Sequence, residues 1–143
     1  MGFPQVFLII KMYWRMKIMS KKFILTNLVF PSPVFSQAIQ VENFVYISGQ
    51  VGDDLTGKLV NKTFKDEVVQ AFENIKSILQ TAGLNLKDVI KVTIFMSDMS
   101  LFNELNGIYM IYFPKNQPTR SAVEVSRLYL NARIEIEVIA YKD

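Results

Sequence analysis

Between Asp88 and Met96 the chain is apolar on both of its alternating sets: Ile90, Val92, Ile94 and Met96 on one, Val89, Thr93 and Phe95 on the other. Its β-branched content makes it a strand, and a strand of this kind belongs where both faces are covered. The last stretch, Arg133–Tyr141, is similar. Ile134, Ile136, Val138 and Ala140 form one set, while Ile139 and Tyr141 share the other with Glu135 and Glu137. Only two helices are available to cover such a sheet. The first is expected from Thr63, an N-cap, to Gly83, a C′ stop. Asp66 and Glu67 complement its positive end, and Phe64, Val68, Phe72, Ile75 and Leu79 form one apolar stripe. The second runs from about Ser100 to Phe113, with Phe102, Leu105, Tyr109 and Tyr112 inward and Pro114 and Pro118 ending it. Two helices cover one face of a sheet. The other face is apolar enough to call for burial against a further subunit, so an oligomeric α+β domain is expected.

The remaining elements are shorter. Phe23-Ile24-Leu25-Thr26 is a strand candidate, and Pro31 and Pro33 enforce an irregular segment after it. Ser36 to Gln50 suggests two strands with a turn at Glu42-Asn43, Gly52–Gly57 a loop, and Ser121–Val125 a further strand. A length of 143 residues fits one domain.

The sequence has no cysteine and no histidine. Thiolate nucleophiles, disulfides and imidazole bases are therefore excluded, and the commonest metal ligands are absent. Chemistry must rest on carboxylates, Arg, Lys, Tyr, hydroxyls, backbone amides or water. The net charge of +3 is concentrated at the start: five of sixteen basic residues lie in the first 22 positions with no acid, leaving the rest at eleven against thirteen acidic, a net −2. A nucleic-acid partner would need a clustered basic face, which that body does not supply. Residues 1–20 read as an N-terminal extension to a single domain over 21–143. The longest apolar run of the extension, Val6–Ile10, is too short to span a membrane. Met19-Ser20-Lys21-Lys22 has the form of an ordinary cytosolic start, which makes the cytoplasm the expected compartment; the basic, acid-free extension leaves a mitochondrial one as the alternative.

Pro118–Leu128 and Ile134–Val138 carry the most chemistry. Arg120 sits where a proline-bearing loop enters a strand, and its guanidinium can hold a carboxylate through two parallel hydrogen bonds. A surface ion pair is the ordinary alternative. Glu135 and Glu137 interrupt an otherwise apolar strand, where a carboxylate is costly unless paired or used; a structural partnership with Arg127 or Arg133 is the alternative. Ser48-Gly49-Gln50 at a strand end can present a hydroxyl and close-approach amides, or serve only as a turn. Asn106-Gly107 is unfavourable inside a helix and hints at a packing or functional reason.

Pro118-Thr119-Arg120-Ser121 and Ile134-Glu135-Ile136-Glu137-Val138, at this spacing, closely resemble the signature of the Rid (YjgF, also called L-PSP) family. Phe35-Ser36-Gln37-Ala38, Ile47-Ser48-Gly49-Gln50, Glu73-Asn74-Ile75, Lys91-Val92-Thr93 and Leu105-Asn106 with Tyr109 are also similar, so the resemblance covers about residues 22–142. It implies a chorismate-mutase-like α+β fold, a mixed sheet with two helices on one face, assembled as a homotrimer with clefts between subunits. It implies hydrolysis of reactive 2-imino acids or their enamine tautomers, such as 2-iminobutanoate and 2-iminopropanoate, to 2-oxo acids and ammonia. Such substrates are made by pyridoxal-phosphate-dependent amino-acid dehydratases. By the same resemblance Arg120 would clamp the substrate carboxylate and Glu135 would position water. Phe35, Ser48, Gly49 and Asn106 would line the pocket, Ala122 would contact substrate through its backbone, and no metal or cofactor would be needed. There are two departures. Phe35 stands where the family often has Tyr, removing a phenol donor, and Ala122 stands where many members have Cys. An L-PSP-type endoribonuclease and a non-catalytic 2-oxo- or amino-acid-binding module are the alternatives in function.

Overall fold

The computed structural model describes residues 20–143, and the expected N-terminal extension through residue 19 lies outside them. Six strands form one sheet: β1 (Lys21–Ile24), β2 (Ala38–Val41), β3 (Phe44–Gln50), β4 (Val89–Met96), β5 (Thr119–Glu124) and β6 (Ile134–Tyr141). Their order is β1-β2-β3-β6-β4-β5. Every neighbouring pair is antiparallel except β4 and β5, which run parallel, so the sheet is mixed. Helix α1 (Phe64–Thr81) connects β3 to β4, and α2 (Phe102–Tyr112) connects β4 to β5.

Helix α1 forms because its ends and its stripe agree. Asp66 N–H donates to the Thr63 hydroxyl oxygen and Thr63 N–H to the Asp66 carboxylate, both at 3.1 Å, a reciprocal cap. Gly83, at φ +76°, supplies the left-handed residue just beyond the last turn. The stripe Phe64, Val68, Phe72, Ile75 and Leu79 is buried against one face of the sheet, where Val45, Ile47, Val92, Ile94, Met96, Ile134, Ile136, Val138 and Ala140 complete the core. Helix α2 lies beside it, with Tyr112 stacked on Phe72 at 4.3 Å between ring centroids.

The opposite face stays open in the single chain. Phe44, Tyr46, Val123 and Tyr141 are exposed on it, and Phe95 and Ile139 half-buried. Phe44 and Tyr141 meet edge to face at 5.2 Å. The helix-covered and open faces follow the expected alternation with one correction. Ile90, grouped by alternation with Val92, Ile94 and Met96, is exposed whereas those three are buried, and Val89 is inside. The register of β4 on β6 shifts between Val89 and Lys91, and one extra residue inverts the faces at that end. Two strands also begin earlier than expected: β1 by two residues, and β5 by two because it pairs with β4 from Thr119 onward.

One buried charge ties these layers together. Glu67 is 1 % exposed, and its carboxylate accepts from the Arg133 backbone N–H at 2.6 Å and from Arg133 Nε at 2.8 Å. Arg133 is therefore partnered by Glu67 and not, as the sequence left open, by Glu135 or Glu137; helix α1 brings Glu67 under the start of β6. Immediately before this clamp, Leu130 and Asn131 both adopt left-handed backbone, at φ 57° and 54°. Asparagine tolerates this, whereas leucine there costs about 1–2 kcal/mol.

Replacing Glu67 by Ala leaves the Arg133 N–H and guanidinium without their acceptor and should cost about 2–4 kcal/mol of unfolding free energy in urea. A loss below about 1 kcal/mol would show that the pair does not hold the sheet to α1.

Candidate active site

Glu135 stands on the open face of β6, between the buried Ile134 and Ile136. A β-bulge in the neighbouring strand makes room for its carboxylate. β3 pairs with β6 in register through Ile47 and Val138, then resumes at Gln50 and Ile136, so Ser48 and Gly49 bow out of the ladder. The carboxylate lies directly over Gly49, where any Cβ would overlap Glu135 Oε1. Glycine is favoured here by this close approach, not by a turn, since a Cβ would force the Glu135 side chain to move.

Above the pair opens a cavity of ≈ 470 Å³ whose walls include Phe30, Val34, Phe35, Val51 and Tyr129, with Glu135, Gln37, Gln50 and Asp53 as polar members. Burial, and secondarily the Glu137 charge, raises the Glu135 carboxyl above its ordinary value of 4.5. Asp53 is likewise raised, chiefly by burial. The polar floor is hydrogen-bonded throughout its Gln37 and Asp53 sides. Gln37 accepts from Thr26 N–H at 2.7 Å and donates to the Thr26 and Val29 carbonyls, tying the β1 side to β2. Asn74 of α1 donates to the Val51 carbonyl and to the Asp53 carbonyl and carboxylate at 3.0–3.2 Å. An aligned water and a substrate of a few heavy atoms fit this volume, beside a carboxylate able to take a proton.

Ser48 lies next to this cavity and also borders a second recess of ≈ 410 Å³ with Phe35, Tyr46, Glu137 and Ile139. Its hydroxyl donates to the Ser36 carbonyl at 2.6 Å, which joins β3 to the segment carrying Phe35.

Arg120 belongs to the other side. It pairs with the buried Val92 in the parallel β4–β5 ladder and so points to the helix-covered face. Its guanidinium carbon lies 4.6 Å from the Tyr109 ring centroid and 5.4 Å from that of Phe102, both on α2. Those rings hold it without consuming its donors, which no carboxylate of the described residues bridges. Beside it the Tyr109 hydroxyl is buried with no hydrogen-bond partner among the described residues, and burial raises its pKa. Asn106, one turn along α2 from Phe102, is half-buried, and Ala122, two residues along β5, packs against the core.

The expected site residues thus fall into two groups. Phe35, Gly49 and Glu135 share one cavity with Ser48 adjoining, whereas Arg120, Asn106 and Ala122 belong to the β5–α2 corner. Glu135 and Arg120 are two strands apart and offset by three residues in register, about 14 Å between backbones, and project from opposite faces. Sequence reasoning missed Tyr129, Gln37 and Asp53 as cavity residues. Gln37 lay inside a quoted motif, but nothing local marks Tyr129 or Asp53.

The overlap at Gly49 is testable by stability. Gly49→Ala should destabilise the protein by about 1–3 kcal/mol in urea. In a Glu135→Ala background it should cost less than about 0.5 kcal/mol, because the colliding carboxylate is gone. Equal costs in both backgrounds would show that Glu135 does not lie over Gly49.

Comparison with known proteins places this geometry. The family described as Endoribonuclease L-PSP matches residues 28–142. A RutC family protein of Pyrococcus horikoshii is 49 % identical over 116 residues, 79 % of this chain and 92 % of that protein. The 2-iminobutanoate/2-iminopropanoate deaminase of Homo sapiens is 42 % identical over 107 residues, 74 % of this chain and 78 % of that one. Among solved structures, E. coli TdcF with bound serine is similar with a TM-score of 0.80 at 32 % identity, covering 85 % of this chain and 99 % of that one. On sequence, fold and motif together, this chain belongs to the Endoribonuclease L-PSP family, the Rid (YjgF) family that its C-terminal signature resembles.

Proposed function

We propose that this protein hydrolyses reactive 2-imino acids and their enamine tautomers, with 2-iminobutanoate and 2-iminopropanoate as substrates, to 2-oxo acids and ammonia. The observation that carries the reading is the Glu135 carboxylate. It is seated on Gly49 at the floor of a largely apolar cavity, with its pKa raised by burial. Relatives bearing the 2-iminobutanoate/2-iminopropanoate deaminase name support the same substrate class.

The site we propose is assembled between copies of the chain in a homotrimer. Arg120 and Glu135 leave opposite faces of one sheet, so one substrate meets both only if Arg120 comes from one protomer and Glu135 from its partner. The exposed aromatic and aliphatic residues of the open face supply the apolar surface for that assembly. Asn106 and Ala122 then line the site from the Arg120 side, and Phe35, Ser48 and Gly49 from the Glu135 side.

Arg120 binds the substrate carboxylate through parallel hydrogen bonds, with its guanidinium preset by Tyr109 and Phe102. Water held by Glu135 adds to the imine carbon. The C–O bond forms, the C=N π electrons move to nitrogen, and the proton lost by water passes through Glu135. The resulting carbinolamine breaks its C–N bond, ammonia leaves with the protons it needs, and the C=O bond of the 2-oxo acid forms. Carbonyl-type addition needs little beyond alignment, and fixing the carboxylate supplies it. Pyridoxal-phosphate-dependent amino-acid dehydratases are the proposed source of substrate and the cytoplasm the proposed compartment. No helix among the described residues is long and apolar enough to cross a membrane.

RNA cleavage, the activity in the family's description, is the second reading. It is less favoured because residues 23–143 carry a net −2 and no histidine.

An imine-trapping assay tests the proposal. A dehydratase or amino-acid oxidase generates the imine in the presence of semicarbazide, and suppression of semicarbazone formation reports hydrolysis. Wild type should suppress it, and Arg120→Ala and Glu135→Ala should each lose about 10²–10⁴-fold in rate while keeping their folded, assembled state. Full activity in Glu135→Ala, or none in wild type, would contradict the proposal.

A further inference from the structure

The cavity over Gly49 has one wall for which the mechanism above gives no use. Tyr129 lines it together with Phe35 and Glu135, is 69 % exposed, and its hydroxyl makes no hydrogen bond to any described residue. Apart from Glu135, to which the mechanism gives a role, the other polar lining groups are engaged. The Gln37 amide bridges Thr26 and Val29, Gln50 Nε2 donates to the Ser48 and Gly49 carbonyls, Asp53 accepts from Asn74, and the Ser32 hydroxyl oxygen accepts from Val34 N–H. Tyr129 is therefore the uncommitted phenol at this cavity, where the neighbouring aromatic wall, Phe35, offers no donor.

The backbone brings Tyr129 there through an unfavourable conformation. Leu130, the next residue, lies at φ 57° and ψ 17°, and Asn131 at φ 54°. A leucine in this region is an outlier, and such residues persist where surrounding structure over-determines them and cluster at functional sites. The constraint is visible on the C-terminal side. Ala132 is buried, the Arg133 N–H is held by Glu67, and the Arg133 carbonyl accepts from Ser97 N–H at 3.1 Å. With the chain fixed from Ala132 onward, the left-handed pair determines where Tyr129 stands.

We infer that Tyr129 is a substrate-contacting residue of this site, its phenol donating a hydrogen bond to the imine nitrogen while water adds to the adjacent carbon. The inference rests on the imine-hydrolysis reading above. Addition of water delivers an electron pair to nitrogen, and a donor aimed at that atom stabilises the charge as it develops. Tyr129 keeps its proton. The proton that nitrogen takes comes from water by way of Glu135, so the balance of the reaction is unchanged. An interaction strengthened in the transition state appears in kcat, whereas one that only shapes the cavity appears in KM or in stability.

The test uses the full-length protein as wild type, Tyr129→Phe and Phe35→Tyr/Tyr129→Phe in the imine-trapping assay over a range of 2-iminobutanoate supply, with Tm measured for each. Tyr129→Phe should lower kcat about tenfold, with KM changed less than about twofold and Tm unchanged. A second phenol on the neighbouring wall, in Phe35→Tyr/Tyr129→Phe, should recover part of that loss. Wild-type kcat in Tyr129→Phe, or a fall confined to KM or accompanied by a matching loss of Tm, overturns the role of Tyr129 while the hydrolysis reading stands. A wild-type protein inactive on the imine overturns both.

Discussion

Glu67 lies in the first turn of α1 with its carboxylate shut away from water, and both of its oxygens are taken by Arg133. A buried carboxylate is costly unless its hydrogen-bonding capacity is met, and here a backbone amide and a guanidinium meet it together. The consequence is geometric. Arg133 precedes β6, the strand between β3 and β4 in the sheet, so the clamp fixes where that strand starts and therefore where Glu135, two residues on, emerges. Gly52 presses against the Glu67 carbonyl, with no space for a Cβ, and this sets the path of the chain that carries Val51 and Asp53 into the cavity wall. Arg133 also reaches the Asn61 carbonyl at 3.2 Å, drawing the loop before α1 into the same arrangement. One ion pair thus fixes the base of the cavity, the strand that bears its carboxylate, and the strained turn that presents Tyr129.

The second constraint is parity. Side chains alternate across a strand, so the register of β5 on β4 decides which face receives Arg120. Pairing Arg120 with Val92 sends it to the helix side, where Tyr109 and Phe102 hold its guanidinium. Pairing Glu135 with Phe95 sends that carboxylate to the open side. The two residues stand two strands apart on opposite faces of the sheet, which is why the proposed site draws its arginine from a second copy of the chain. The proposed assembly gives the apolar open face and the separation of Arg120 from Glu135 one explanation, because the surface that needs covering is the surface beside Glu135.

Much of this was legible in the sequence where the signal is local. Thr63, Asp66 and Gly83 mark the ends of α1, and its apolar stripe is buried as spaced. The Glu42-Asn43 turn lies where expected, with Glu42 at positive φ. Carboxylates on an apolar strand singled out Glu135. What escaped depends on contacts distant in sequence. Glu67 and Arg133 are 66 residues apart, and neither position announces the other. The bulge at Ser48 and Gly49 and the register shift near Ile90 arise from pairing with β6, which no stretch of β3 or β4 encodes alone. Tyr129 reads as an ordinary loop residue until the left-handed Leu130 and Asn131 show where it is directed. That Arg120 and Glu135 leave opposite faces follows from alternation, but only once the pairing partner of β5 is known.

The most direct test of a site divided between chains is complementation. Arg120→Ala and Glu135→Ala proteins, each inactive alone, would be denatured together in equal amounts, refolded and assayed for imine hydrolysis. If each site takes its arginine from one protomer and its glutamate from its partner, random mixing leaves both residues intact in about a quarter of the sites, and about a quarter of the wild-type rate should return. If both residues of a working site come from the same chain, no mixed assembly contains an intact site and the mixture stays inactive.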